Sequence, residues 1–226
     1  MLVYPDGRFL GTVGGGELEN RVRAEALKAV SDGQPRLLHY NMSDPSHGDP
    51  GVCGGQVEVF VEPILAPVTI MIIGGGHVGK AVAHLAKWLD FHVVVSDDRP
   101  EFCNKESIPD ADEFLVCSMT DMPKQIKITH RTYLILTTRG SSVDVDGLPV
   151  LLDTQAGFIG VIGSKRRWAT TVKELTNRGV DPEKIAKVHS PIGLELQAET
   201  PNEIAVSILA EILMIQGHGS GKQMRT

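Results

Sequence analysis

The pentapeptide Gly51-Val52-Cys53-Gly54-Gly55 sets a single thiol among glycines. Its neighbours supply little packing, and bare backbone on either side lets a ligand come close to the sulfur. A free thiol in that setting suits a nucleophile, a sulfur acceptor or a ligand to a soft metal. The other two cysteines lie far off at positions 103 and 117, with no Cys/His spacing around them. Neither a disulfide framework nor a zinc site is therefore indicated. Cys117 ends an apolar run and reads as a core residue, while Cys103 sits in a loop without an evident partner.

A second chemical signal is Gly74-Gly75-Gly76-His77-Val78-Gly79, which fits G-x-G-x-x-G. It follows a buried strand and opens a helix, the context in which the motif has a mechanism. Gly74 permits the tight turn, Gly76 lets a pyrophosphate reach the backbone, and Gly79 lets helix and strand pack closely. The helix start then offers unpaired amides and partial positive charge to phosphate. Asp97 stands 18 residues after Gly79, near the separation of about 20 expected for a ribose-binding acid. Arg99 is placed to meet a 2′-phosphate or another anion. The competing reading is a glycine loop kept for packing alone. His77 reads as an exposed first-turn residue.

Ser164-Lys165-Arg166-Arg167 forms a further strand-to-helix switch, with Ser164 as N-cap. Cations in a first helical turn oppose the helix dipole, so three in a row suggest an anion to be held; a solvated charge cluster is the alternative. Two more loops, Thr137 to Gly140 and His189 to Gly193, follow apolar runs. Ligands of open α/β sheets bind beyond the carboxyl ends of strands, so both loops are expected in one crevice. Neither contains a triad or a carboxylate pair from which acid–base chemistry follows.

The elements that must position these residues are legible in outline. Pro5-Asp6-Gly7 suits a turn between Leu2-Val3 and Phe9-Leu10. Residues 17–31 repeat Leu18, Val22, Ala26, Ala29 and Val30 on one helical face and stop at Gly33. Val57, Val59 and Val61 alternate with Glu58 and Phe60, as in a strand with one buried face. After Pro63 to Pro67 the period changes. Apolar strand-length runs at 68–73, 93–95, 114–116, 133–136 and 158–162 alternate with helix-length segments, the first of them at 77–89. Such runs indicate a parallel sheet covered on both faces. Thr200-Pro201-Asn202-Glu203 is a capping box that starts the last helix. The expected fold class is α/β: a small N-terminal α/β module over 1–66, a Rossmann-like doubly wound domain over 67–216 and a flexible tail over 217–226.

Composition narrows the functions. With 226 residues, 42% hydrophobic and 22% charged, the chain can bury a core without metal or disulfide staples. A net charge of −6 lacks the broad positive field that nucleic-acid binding needs. No run is long enough for a membrane span and no signal peptide opens the chain, so a cytoplasmic protein is expected.

Together DGRFLGTVGGGELE (6–19), VCGGQVEVFVEPI (52–64), IIGGGHVGKAVA (72–83), VVVSDDR (93–99), GFIGVIGSKRR (157–167) and HSPIGLELQAETPNEIAVSILAEI (189–212) resemble the xanthine dehydrogenase accessory factor family, of XdhC/CoxI type. The resemblance spans nearly the whole chain. It implies a homodimeric accessory protein that binds the molybdenum cofactor (molybdopterin), assists its sulfuration with a cysteine desulfurase, and hands it to the apo-enzyme of a xanthine dehydrogenase-type molybdenum hydroxylase. Turnover catalysis is not implied, and the alternative is an NAD(P)-dependent oxidoreductase. On this likeness Cys53 is the residue expected at the metal or its sulfur. Gly14, Gly15, Gly16, Gly54, Gly55, Gly74, Gly75, Gly76, His77, Val78, Gly79, Asp97, Arg99, Ser164, Lys165 and Arg166 are expected to line the cofactor. Three departures stand out. The family carries a strand and a GSSP-type loop ahead of the segment that begins here, so the N-terminal module is expected either to be incomplete or to pair with another chain. Many relatives have cysteine where Glu17 stands, and many have histidine where Ser141 follows Gly140.

Overall fold

The computed structural model describes residues 1–41, 55–65 and 67–225. The chain divides into two compact units, Met1–Ala66 and Pro67–Thr226.

In the first unit β1 (Leu2–Val3) and β2 (Phe9–Leu10) form the expected antiparallel hairpin around a turn in which Gly7 takes a left-handed φ of 84°. Helix α1 (Gly16–Asp32) buries Leu18, Val22, Ala26 and Ala29 and ends on left-handed Gly33, whose amide closes on the Ala29 carbonyl. Strand β4 (Gln56–Val61) has the predicted alternation, with Val57, Val59 and Val61 on its more buried face. Its antiparallel partner β3 (Arg36–Asn41) is not among the expected elements. The adjacent Leu37 and Leu38 hide its period of two, because Leu37 points outward beside Phe60 and both stay exposed.

The second unit is built on five parallel strands: β5 (Thr69–Ile73), β6 (His92–Ser96), β7 (Glu113–Leu115), β8 (Thr132–Leu136) and β9 (Phe158–Val161). Their spatial order is β7-β6-β5-β8-β9, so the winding reverses between β5 and β8. Ile70, Met71, Ile72, Leu134, Ile135 and Leu136 are fully buried, as continuous apolar strands covered on both faces must be. One face carries α2 (His77–Trp88) packed on α7 (Pro201–Gln216). The other carries α4 (Ser141–Leu152) and α5 (Lys165–Asn177), while α3 (Met122–Gln125) and α6 (Pro182–Ile185) are single turns. The capping box of α7 forms as predicted: Thr200 accepts from the Glu203 amide, and the Glu203 carboxylate accepts from the Thr200 amide. No helix among the described residues is long and apolar enough to cross a membrane.

Candidate functional site

The reversal of winding between β5 and β8 opens a crevice beyond the carboxyl ends of the strands. The glycine loop enters it from β5. Here the glycines divide by what requires them. A Cβ at Gly74 would meet the Thr137 carbonyl oxygen at 2.6 Å, at Gly75 the Phe102 carbonyl oxygen at 1.9 Å, and at Gly79 the Gly74 carbonyl oxygen at 2.0 Å. These three are glycine because the fold needs it. Gly76 differs: its φ of −70° suits any residue, and a Cβ there meets no atom within 4 Å. The space beside Gly76 is open to whatever approaches the start of α2, which no side chain caps. His77 is exposed and Val78 packs on the core.

Asp97 and Arg99, expected as ligand residues, meet each other first. The Asp97 carboxylate is buried, and both its oxygens are filled. Oδ1 accepts from the Arg99 amide at 3.0 Å and Arg99 Nε at 2.9 Å; Oδ2 accepts from the Gly75 amide and the second guanidinium nitrogen, both at 2.9 Å. Burial works to raise the Asp97 pKa, but the Arg99 side chain and the two amides outweigh it and hold the carboxyl below its ordinary range. The Arg99 guanidinium also lies over the Phe102 ring, 4.0 Å from its centroid.

A cleft of about 340 Å³ lies between the ends of β6 and β8 and the start of α4, with Asp97, Asp98, Arg99, Cys117, Ser118 and Arg139 among its walls. Arg139 reaches Asp98 as a bidentate pair, both bonds 3.0 Å. The cysteine expectations hold only in part, since Cys117 packs against the core but is not enclosed by it. Cys103 is buried and donates to the Val95 carbonyl at 3.4 Å, whereas Cys117 is only half-buried, beside Ser96 in the cleft wall. Chain direction explains the difference: Cys117, two residues past the short edge strand β7, emerges at the crevice, and the loop holding Cys103 folds back to bond the Val95 carbonyl of β6.

The basic first turn of α5 splits in the same way. Ser164 caps the helix by accepting from the Arg167 amide at 3.1 Å, as expected, and Lys165 and Arg166 are exposed. Arg167 turns inward and donates to Asp144 Oδ2 and to Thr138 Oγ1, and the Thr138 hydroxyl donates to the other Asp144 oxygen. The anion that Arg167 holds is thus the chain's own, on α4.

His189 to Gly193 does not line the cleft with Thr138 and Arg139. It extends the sheet edge instead, His189 bonding the Ile159 carbonyl and accepting from Val161, both at 2.9 Å. Its side chain contacts Glu211 of α7, Nδ1 to Oε1 at 2.8 Å, and the other Glu211 oxygen accepts from the Gly193 amide at 2.6 Å. Burial pushes the Glu211 pKa up, yet His189 and the Gly193 amide pull it further down, so the net shift is below the ordinary 4.5. A depressed carboxyl pKa contributes stability above the unfolded value that is lost as pH falls through the folded one. Glu211→Ala is therefore expected to cost about 1–3 kcal/mol at pH 7, the loss of an acceptor from a half-buried amide and imidazole. The difference from the parent chain, read from urea unfolding, shrinks as the pH is taken below 4.5.

In the first unit, Gly14, Gly15 and Gly16 all take left-handed φ, at 122°, 76° and 65°. They open α1 without a side-chain cap, while Glu19 fastens the approach by accepting from Thr12 Oγ1 at 2.5 Å. Gly55 precedes β4 with φ 156°. Cys53 and Gly54 lie outside the described residues. Among the described residues no group of three or more His, Cys, Asp or Glu gathers as a metal site.

A central βαβ unit with a glycine turn, in a sheet whose order reverses at that strand, defines a Rossmann domain with a ligand crevice. Comparison with known proteins makes this specific. The XdhC Rossmann domain matches residues 70–212, and the XdhC and CoxI family matches residues 1–41. The chain belongs to this family. It is 34% identical to the Escherichia coli (strain K12) protein YqeB over 226 residues, 99% of this chain and 41% of that one. It is 28% identical to a Bacillus subtilis (strain 168) protein named as a probable xanthine dehydrogenase component, over 69% of this chain and 45% of that protein. The molybdenum cofactor insertion chaperone PaoD of Escherichia coli (strain K12) is 20% identical across 96% of this chain and 78% of its own length. The chain thus spans less than half the length of the first two relatives. The crystal structure of a protein named as a xanthine dehydrogenase from Bacillus halodurans shares the fold, with TM-score 0.58, 23% identity, and coverage of 98% of this chain and 87% of that one.

Proposed function

We propose that this chain is an accessory module for a molybdenum hydroxylase, binding the molybdenum cofactor and passing it to the apo-enzyme. Family membership supports the reading, together with a relative named as a molybdenum cofactor insertion chaperone. The structural observation that carries it is Gly76, a glycine that nothing in the protein requires, set beside uncapped helix amides that suit a phosphate. A diphosphate bridge, as in the dinucleotide form of a pyranopterin cofactor, fits that donor set. When bound, the cofactor would supply a dithiolene-held metal whose terminal sulfur the hydroxylase needs. In this reading Cys53 stands at the metal or at the sulfur delivered by a cysteine desulfurase, and the working form is a homodimer in the cytoplasm. The fold also suits NAD(P), as an oxidoreductase would use it, but Asp97 has no free acceptor for a ribose diol.

The test is co-expression with a xanthine dehydrogenase-type apo-enzyme. The purified chain is expected to retain a pterin that fluoresces after oxidation, and Cys53→Ala to lower hydroxylase activation with the melting temperature unchanged. Tight NADH binding without any retained pterin would favour the oxidoreductase instead.

A further inference from the structure

The crevice selects its ligand by charge in a way the motif does not announce. An ionised carboxylate has about four acceptor positions. In Asp97 four protein N–H groups fill them, and the side chain is buried. A ribose diol therefore finds no acceptor there unless Arg99 or the glycine loop lets go. What the saturated carboxylate does is aim a cation. It fixes one edge of Arg99 through Nε and Nη2, the Phe102 ring supports the guanidinium, and Nη1 makes no hydrogen bond among the described residues.

A second cation faces the same cleft. Among the described residues Arg139, from the loop after β8, is held by Asp98 alone, and both partners are about half exposed. An exposed pair of this kind is readily exchanged for a better anion. One clamped guanidinium and one exchangeable guanidinium across 340 Å³ of cleft form a receptor for a compact dianion.

We propose that this cleft selects its ligand through a phosphate monoester bound between Arg99 and Arg139, with Asp97 acting as the positioning residue for Arg99. The inference rests on the crevice being a ligand site, as the proposed function holds, but not on which phosphorylated compound the chain serves. Two sources share the chemistry, the terminal phosphate of a pyranopterin and the 2′-phosphate of NADP.

Calorimetric titration separates them, using NADP+ against NAD+, and the phosphorylated oxidised pterin prepared from molybdenum cofactor against its phosphatase-treated form. In at least one pair the phosphorylated member is expected to bind about tenfold or more tightly, the scale of one added charge-assisted contact. The pair that shows the preference names the source. Arg99→Lys keeps the charge but loses the fork, and Arg139→Ala alters an exposed side chain; each should reduce the preference to about twofold or less, with the melting curve of Arg139→Ala unchanged. Asp98→Asn frees Arg139 and removes a repelling charge, so it should tighten the preferred ligand several-fold. Equal affinity within both pairs, tighter binding of NAD+, or no binding of any of the four overturns the proposal. If Cys53→Ala leaves hydroxylase activation intact while the phosphate preference persists, the carrier role of Cys53 fails and this inference stands.

Discussion

Replacing Asp144 with alanine is expected to lower the unfolding free energy by about 3 kcal/mol, the lower end of what breaking a buried ion pair costs. Asp144 has no solvent exposure, and its two oxygens receive Thr138 and Arg167. Removing it strands the guanidinium in a pocket where Nε already lacks a partner among the described residues. The Arg167 side chain keeps 24% exposure, so water relieves part of the deficit, which is why the lower end applies. The same reasoning sets the sign of the double variant. Asp144→Ala with Arg167→Met removes both charges, and recovers at least about 1 kcal/mol of the loss because no unpaired ion remains. Urea unfolding at pH 7 measures both. A single-variant loss below about 1 kcal/mol, or a double variant no better than the single, would show that the pair does not hold α4 to α5.

Much of this architecture is legible from residue order because the signals are local. A continuous apolar run such as 69–73 has few options other than a covered strand, and the Thr200 capping box fixes its helix start through groups three residues apart. The glycine loop is readable for the same reason. What the sequence hides is pairing between distant charges. Lys165, Arg166 and Arg167 are neighbours of one type, yet only Arg167 turns inward, because only its position on α5 faces Asp144, 23 residues earlier. Asp144 itself sits in the unremarkable run Ser141 to Gly147, where only the flanking Val143 and Val145 hint at a covered helix. Asp97 and Arg99 both stand out as site residues from their spacing. Their mutual bonding does not, since a spacing of two residues fits an acceptor for ribose as well as a clamp on its neighbour. The expectation that His189 to Gly193 enters the crevice fails on the same ground: the segment bridges to β9 at Gly160 and is tied to Glu211 in α7, which no local pattern links to it.

The glycine loop gives the sharpest test, because it predicts opposite outcomes for neighbouring residues of one type. Gly79→Ala drives a Cβ to 2.0 Å from the Gly74 carbonyl oxygen, a clash of backbone with backbone that no rotamer relieves. The helix must move off β5, and a loss of about 3 kcal/mol or more is expected, at the upper end for overpacking. Gly76→Ala meets nothing within 4 Å and keeps an allowed φ of −70°, so its cost stays within about 1 kcal/mol, the scale of an N-cap change. Binding should reverse the order of interest. In Gly76→Val the fold survives while the branched side chain fills the approach to the α2 amides, so a probe whose diphosphate uses those amides, NADP+ among those titrated, loses its affinity. Were Gly76→Val to bind that probe as the parent chain does, the open space would have no ligand in it, and the α2 amides would not be a phosphate site. The contrast works because stability and binding are read separately: a residue the fold does not need, yet whose substitution removes binding, is one that the ligand itself requires to be small.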